Sequence, residues 1–105
     1  MAERLASNAS DPSVDGRLLA WHEAGAPGIL LRGGQAERLG GSHPALGGRR
    51  LAVINGGQID VQATAGEPFA VSVPAPGADA IAVSGSWLAG RARESDGDVI
   101  YAART

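Results

Sequence analysis

The sequence predicts an all-β protein built from three repeated units, and three kinds of observation support this. Short segments such as 58–62 and 69–73 alternate apolar and polar residues with a period of two, which is typical of half-buried strands. Glycine-rich sequences such as Asn55-Gly56-Gly57 separate these segments and supply the positive φ that tight hairpin turns need. Glycine and proline also recur before an apolar pattern of helical period can develop, so we expect no helix.

Eight strands are expected from the apolar segments alone. In chain order they span residues 17–21, 29–32, 50–54, 59–62, 69–73, 80–83, 87–90 and 99–102. Further strands are expected from the internal repeat described next.

Three segments of the chain match when they are aligned on Gly16, Gly48 and Gly85. Each has a branched aliphatic residue two positions before the glycine and a Leu-Ala pair three and four positions after it. The matching residues are Val14, Leu46 and Val83, followed by Leu19-Ala20, Leu51-Ala52 and Leu88-Ala89. A hairpin partner follows each segment, and the repeated leucines are expected to form one layer of the core.

The two ends of the chain are offset with respect to this repeat. Ala2-Glu3-Arg4-Leu5 is repeated as Ala36-Glu37-Arg38-Leu39, at the place where a fourth, outer strand of the first unit belongs. Segment 69–73 takes that place in the second unit, and the third unit ends after three strands. The N-terminus therefore carries the strand that the C-terminus lacks.

Repeated units of four short antiparallel strands are the signature of β-propeller blades. The alternative is an unrelated β-sandwich with glycine-rich turns. Segment 44–53 followed by 56–61, and segment 82–93 followed by 98–104, resemble blades of TolB-like β-propellers. The resemblance extends over residues 2–104 and implies a propeller, but such blades serve as scaffolds in many roles. Members of that family usually close six blades in one chain, whereas this chain carries three. TolB-like blades often carry aspartates near their hairpin turns, and in this chain only Asp96 and Asp98 correspond to them.

An arc of three blades leaves two apolar faces exposed to water, so we expect a partner. Propellers have about four to eight blades. We therefore expect a homodimer, which has six blades. The alternative is a homotrimer, whose nine blades lie outside that range. In the expected two-fold ring, the N-terminal strand of one chain completes the third blade of the other. This places Ala2, Glu3, Arg4, Leu5 and Ala6 beside Val99, Ile100 and Tyr101 of the partner subunit.

These expectations divide the chain as a single half-propeller unit, 1–105. Residues 1–7 form the latch strand, 11–41 the first blade, 42–75 the second and 76–105 the third.

Candidate ligand-binding residues lie where the inner strands begin. Asp11 and His43 occupy matching positions in the first two units, and Asp79 lies near the matching position in the third. A polar ring of this kind at the mouth of a central channel could bind a cation, an anion or a small ligand. The alternative is that the three residues cap strand starts and turns. His22, the second imidazole, is expected in an exposed turn.

The sequence favours a protein that is not an enzyme, because no general base has a partner and no catalytic motif is present. The absence of Cys excludes a disulfide framework, a thiolate metal site and a cysteine nucleophile. We expect no cofactor and no metal. A net charge of −2 provides no basic surface for nucleic acid.

The apolar segments are much shorter than the roughly 18 residues that cross a membrane, and the N-terminus lacks the apolar core of a signal peptide. We therefore expect no membrane partner and a cytoplasmic location. The expected function is a self-assembling scaffold or interaction module, either natural or excised from a longer propeller by engineering. The alternative is a propeller that binds a small molecule, ion or peptide at the channel mouth.

Overall fold

The computed structural model describes residues 4–25 and 27–104. Within these residues there are eleven strands and no helix, so the all-β prediction is confirmed. The strands form two four-stranded sheets and one three-stranded sheet, and each sheet is antiparallel throughout. The described part of the chain contains no helix that is long and apolar enough to cross a membrane.

Each sheet uses consecutive strands in chain order. The first sheet contains β1 (Ala9–Asp15), β2 (Leu18–Glu23), β3 (Gly28–Arg32) and β4 (Gln35–Arg38). The second contains β5 (Ser42–Gly47), β6 (Arg50–Asn55), β7 (Gln58–Ala63) and β8 (Ala70–Pro74). The third contains β9 (Ala78–Val83), β10 (Trp87–Glu94) and β11 (Gly97–Arg104).

The eight strands predicted from apolar segments all exist, with ends that differ by a few residues. The repeat supplied the other three, because β1, β4 and β5 are too polar or too rich in proline and glycine to stand out alone. β4 contains Ala36, Glu37 and Arg38, which places the repeated N-terminal motif on the outer strand of the first sheet.

Neighbouring sheets pack face to face through their first strands, with β1 and β2 against β5, and β5 and β6 against β9. Each sheet pair encloses its own apolar core. Ala20, Leu30, Leu46 and Leu51 are buried between the first and second sheets. Ala52, Ile59, Val61, Ala75 and Leu88 form the other core, which includes side chains of the second and third sheets.

Polar contacts also connect the first two sheets. The backbone N–H of Leu46 donates to the Ser13 hydroxyl at 2.8 Å, and the N–H of Arg49 donates to the Asp15 carboxylate at 2.9 Å. Ser13 and Asp15 are therefore paired across the sheet interface and are not simply exposed turn residues.

The predicted leucine layer is only partly enclosed by one chain. Leu51 and Leu88 are each 2% exposed, whereas Leu19 is half-buried. Strand pairing explains the difference: Leu19 shares a face with Val14 and Leu31, and that face is turned away from the second sheet. The position that is core in the second and third sheets thus lies on an open face of the first.

Candidate functional site

The three residues predicted at the channel mouth lie at bulges in the first strand of their sheets. Strand pairing shifts between Ser10 and Ser13 in β1, and between Ser42 and Ala45 in β5. In β9 the shift leaves Asp79 without a pairing partner between its neighbours. Bulges of this kind re-aim side chains and interrupt pairing. Asp11 and His43 also adopt a positive φ, of 54° and 50°, which non-glycine residues seldom do.

The structure brings Asp11 and His43 together and adds a residue that the sequence placed elsewhere. Nε2 of His43 lies 3.9 Å from the Asp11 carboxylate. The His43 ring stacks on that of His22, with centroids 4.1 Å apart and planes 11° from parallel. The expectation of an exposed turn for His22 was wrong: it lies in β2, half-buried, and its Nδ1 accepts a 3.4 Å hydrogen bond from the His43 backbone.

Asp79 has different partners from the other two. Nε of Arg91 donates to one carboxylate oxygen at 3.1 Å, and Nε of Arg93 lies 3.6 Å from the other. These arginines neutralise Asp79 within its own sheet. No cluster of three or more His, Asp or Glu side chains suited to a metal ion occurs in residues 4–25 and 27–104.

The predicted latch falls partly within the described residues. Ala2 and Glu3 lie outside them, and Arg4, Leu5 and Ala6 belong to no strand. Val99, Ile100 and Tyr101 lie in β11, which pairs with β10 along one edge. No other strand of the described chain pairs with β11, so its second edge is open.

Two sheet faces at the ends of the chain carry exposed apolar side chains. On the first sheet, Val14 is 68% exposed beside the half-buried Leu19. On the third sheet, Ile100 is 66% exposed. Strand pairing puts small residues on the same face as Ile100, namely Ala80, Ala82, Ala89 and Ala102. Near one end of that face the Arg104 guanidinium lies 4.7 Å from the Trp87 ring centre.

A cleft of about 360 Å³ opens where the end of the first sheet meets the face of the second. Leu39 and Gly40 form one side, and strands β6 to β8 form the other. Apolar side chains of the cleft include Leu51 and Val53, and polar ones are Asn55, Asp60, Gln62 and Ser72.

Asp60 is the charged group of this cleft, and sequence reasoning missed it. The alternation over 58–62 predicts a half-buried strand, which is correct, but it does not indicate that the polar side borders a cleft. Strand pairing with β6, β2 and β10 aligns Asp60 with Ile29 of the first sheet and Tyr101 of the third. The second sheet thus has a carboxylate where the other two have large apolar or aromatic side chains.

Comparison of the chain with protein-family models, with curated proteins and with solved structures finds no match. The resemblance to TolB-like blades therefore stays a prediction from the sequence.

Proposed function

We propose that the chain is a self-assembling half-propeller, of which two copies close into one six-bladed ring that serves as a non-enzymatic scaffold or interaction module. The observation that carries the proposal is the equivalence between the packed faces inside the chain and the two open faces at its ends.

The internal contacts define which face meets which. Ala20 and Leu30 of the first sheet pack on Leu46 and Leu51 of the second. The same pattern recurs one sheet further, where Ala52 and Val61 of the second sheet share a core with Leu88 of the third. In both cases a face built around a small alanine meets a face built around a leucine.

One of the two open faces is built around an alanine, and the other is built around a leucine. The third sheet presents Ala89, which is equivalent to Ala20 and Ala52, beside Ala82 and Ala102. The first sheet presents Leu19, which is equivalent to Leu51 and Leu88. The third sheet of one copy can therefore pack on the first sheet of another with the contacts already used within the chain. Such head-to-tail contacts form a ring when the rotation closes.

The number of copies follows from the number of blades. Two chains contribute six blades, within the range of about four to eight found in propellers, and three chains contribute nine. A two-fold ring buries both open faces of each chain, so no apolar face remains exposed to water.

The same ring supplies a partner for the open edge of β11. The motif that forms β4 in the first sheet is repeated at residues 2–5, where it is available to a third sheet as its fourth strand. Pairing there satisfies the backbone N–H and C=O groups of β11, which an open edge leaves unpaired.

Multi-angle light scattering of the purified chain tests this proposal. The expected mass is twice the 10.6 kDa of the chain, over a range of concentrations. A single species of 10.6 kDa would exclude the ring, and a threefold mass would replace the dimer by the nine-bladed alternative.

The second candidate function is ligand binding at the channel mouth by Asp11, His43 and Asp79. One observation that favours it is that all three residues lie at bulges in the first strands of their sheets. The other is the distance of 3.9 Å between Nε2 of His43 and the Asp11 carboxylate. A thermal-shift screen with sugars, metal ions and peptides, run on the wild type and on His43→Ala, tests it. A stabilising compound that loses its effect in the variant supports the site, and a screen without any such compound contradicts it.

A further inference from the structure

We propose that the cleft between the first and second sheets is a binding site for a small organic cation, an amine or guanidinium carried on an apolar group, with Asp60 as its counter-charge. The site is separate from the channel mouth and from the surfaces used for ring closure.

Three neutral donors hold the Asp60 carboxylate in place. The Ser72 hydroxyl and Nε2 of Gln58 each donate to Oδ1 at 2.7 Å, and Nδ2 of Asn55 donates to Oδ2 at 3.1 Å. These bonds favour the ionised form, and the hydrogen bond from Ser72 is the main reason that the pKa of Asp60 lies below its usual value. Asp60 is consequently negative at neutral pH and fixed in orientation.

Within residues 4–25 and 27–104, no cation forms an ion pair with this carboxylate. The ion pairs found within the described residues involve Asp11 and Asp79, and none includes Asp60. Arg50 lies on the opposite face of β6, with its guanidinium 4.1 Å from the centre of the Phe69 ring. Oδ2 of Asp60 accepts one of these three bonds, so one of its two lone pairs can accept a hydrogen bond from a ligand.

Asp60 takes the place of an apolar or aromatic residue found at the equivalent positions of the other two sheets. Its equivalents in the other sheets are Ile29, which is buried, and Tyr101, which packs on a core cluster. An apolar residue at this place would fill space between the first two sheets, and Asp60 leaves that space open. In the second sheet this apolar packing is absent, and a cleft remains.

The lining defines the class of ligand. Leu39, Leu51 and Val53 provide apolar walls, and the carboxylate lies among amide and hydroxyl groups. About 360 Å³ falls within the range of about 300–1,000 Å³ typical of small-molecule sites. An anion would be repelled by Asp60, and a divalent metal would find one carboxylate where it prefers several oxygen ligands.

The cleft lies between two sheets of the same chain, so it does not depend on ring closure. Binding and oligomeric mass are therefore independent measurements, and a failure of one proposal can be distinguished from a failure of the other.

An NMR titration of the intact protein with n-butylammonium tests the site, because it detects binding in the millimolar range. Butanol and butyrate serve as the neutral and anionic counterparts of the same length. We expect chemical-shift changes at Leu51, Asp60 and Ser72 with the ammonium, and much weaker changes with the other two. Equal responses to all three compounds, or changes confined to residues outside the cleft, would overturn the proposal.

Two variants and a control assign the binding to Asp60. Asp60→Asn keeps the size of the side chain and should weaken n-butylammonium by about tenfold or more, the loss typical of a hydrogen bond to a charged group. Ser72→Ala keeps the charge, releases its main donor and should weaken binding less. Asp96→Asn removes the same charge from the turn between β10 and β11 and should leave the affinity unchanged. The proposal is refuted if wild type and Asp60→Asn bind n-butylammonium with equal affinity. It is also refuted if Asp96→Asn weakens binding as much as Asp60→Asn does, because the effect would then come from net charge and not from the cleft.

The same cation can come from a free amine or from a lysine side chain in a peptide. A parallel titration with N-acetyl-lysine methylamide distinguishes these sources. Tighter binding than n-butylammonium, lost in Asp60→Asn, identifies a peptide ligand; weaker binding with the same dependence on Asp60 identifies a free amine.

Discussion

The hairpin turns of the second and third sheets meet backbone to backbone at Gly48 and Gly85. A Cβ at Gly48 would overlap the backbone nitrogen of Gly85, and a Cβ at the preceding Gly47 would overlap the carbonyl oxygen of Val83. Gly48 also has a φ of +56°, in the left-handed region that glycine adopts most easily. Glycine at this turn therefore determines how closely the two sheets approach at their first strands.

Gly48→Ala should destabilise the protein more than Gly56→Ala. Gly56 has nearly the same φ, +57°, but a Cβ there would meet nothing within 4 Å. Both substitutions incur about 1–2 kcal/mol for the left-handed conformation, and Gly48→Ala must in addition separate two packed sheets, for which overpacking values of about 1–3 kcal/mol are a guide. Urea unfolding gives the two free energies, and equal losses would show that the turns are not in contact.

Charge on either open face should dissociate the assembly. Val14→Arg and Ile100→Arg each introduce a guanidinium at a side chain that is about two-thirds exposed in the single chain. Within the proposed ring that charge would be buried without a partner, so the mass from light scattering should fall towards that of one chain. Ser95→Arg, in an exposed turn, is the control and should leave the mass unchanged. A dimer that persists in both face variants would contradict the proposed contact.

Removal of residues 1–7 should weaken the assembly through the open edge of β11. The expected results are a lower melting temperature and a lower mass at a given concentration, because the fourth strand of each third sheet is lost. A variant in which Gly and Ser replace the same seven residues separates the effect of sequence from that of length. If both variants melt and assemble like the wild type, the latch prediction is wrong.

Eight strands of this fold could be predicted from local signals, namely alternation and glycine turns, and β1, β4 and β5 could be predicted only from the repeat. Leu51 and Leu88 were likewise placed in the core by the repeat alone. The stacking of His22 on His43 could not be predicted, since it joins strands of two different sheets and depends on a bulge in β5. Bulges depend on pairing with the next strand, and the positive φ of Asp11 and His43 has a weaker local signal than glycine provides, because Asp and His adopt it more often than most residues but still seldom.

Asp60 shows a different limit of sequence reasoning. The alternation correctly predicts that Asp60 lies on the polar side of β7. Whether that side faces water, a neighbouring sheet or a cleft depends on how the first sheet packs. Only the sheet arrangement shows that Leu39 and Gly40 stop short of filling the space in front of it.

Ser72→Ala should raise the pKa of Asp60 towards its usual value of 3.8. The hydrogen bond from Ser72 is the largest cause of the lowered pKa, and a carboxylate whose pKa is lower in the folded state contributes stability above its unfolded pKa. That contribution disappears as the pH falls through the lowered value, so Ser72→Ala should reduce stability at neutral pH while differing least from the wild type in strong acid. Carboxyl ¹³C NMR follows the titration directly, and urea unfolding at neutral and acidic pH follows its effect on stability. Ser95→Ala is the control, and an Asp60 titration that is the same in Ser72→Ala and wild type would show that Ser72 does not hold this carboxylate.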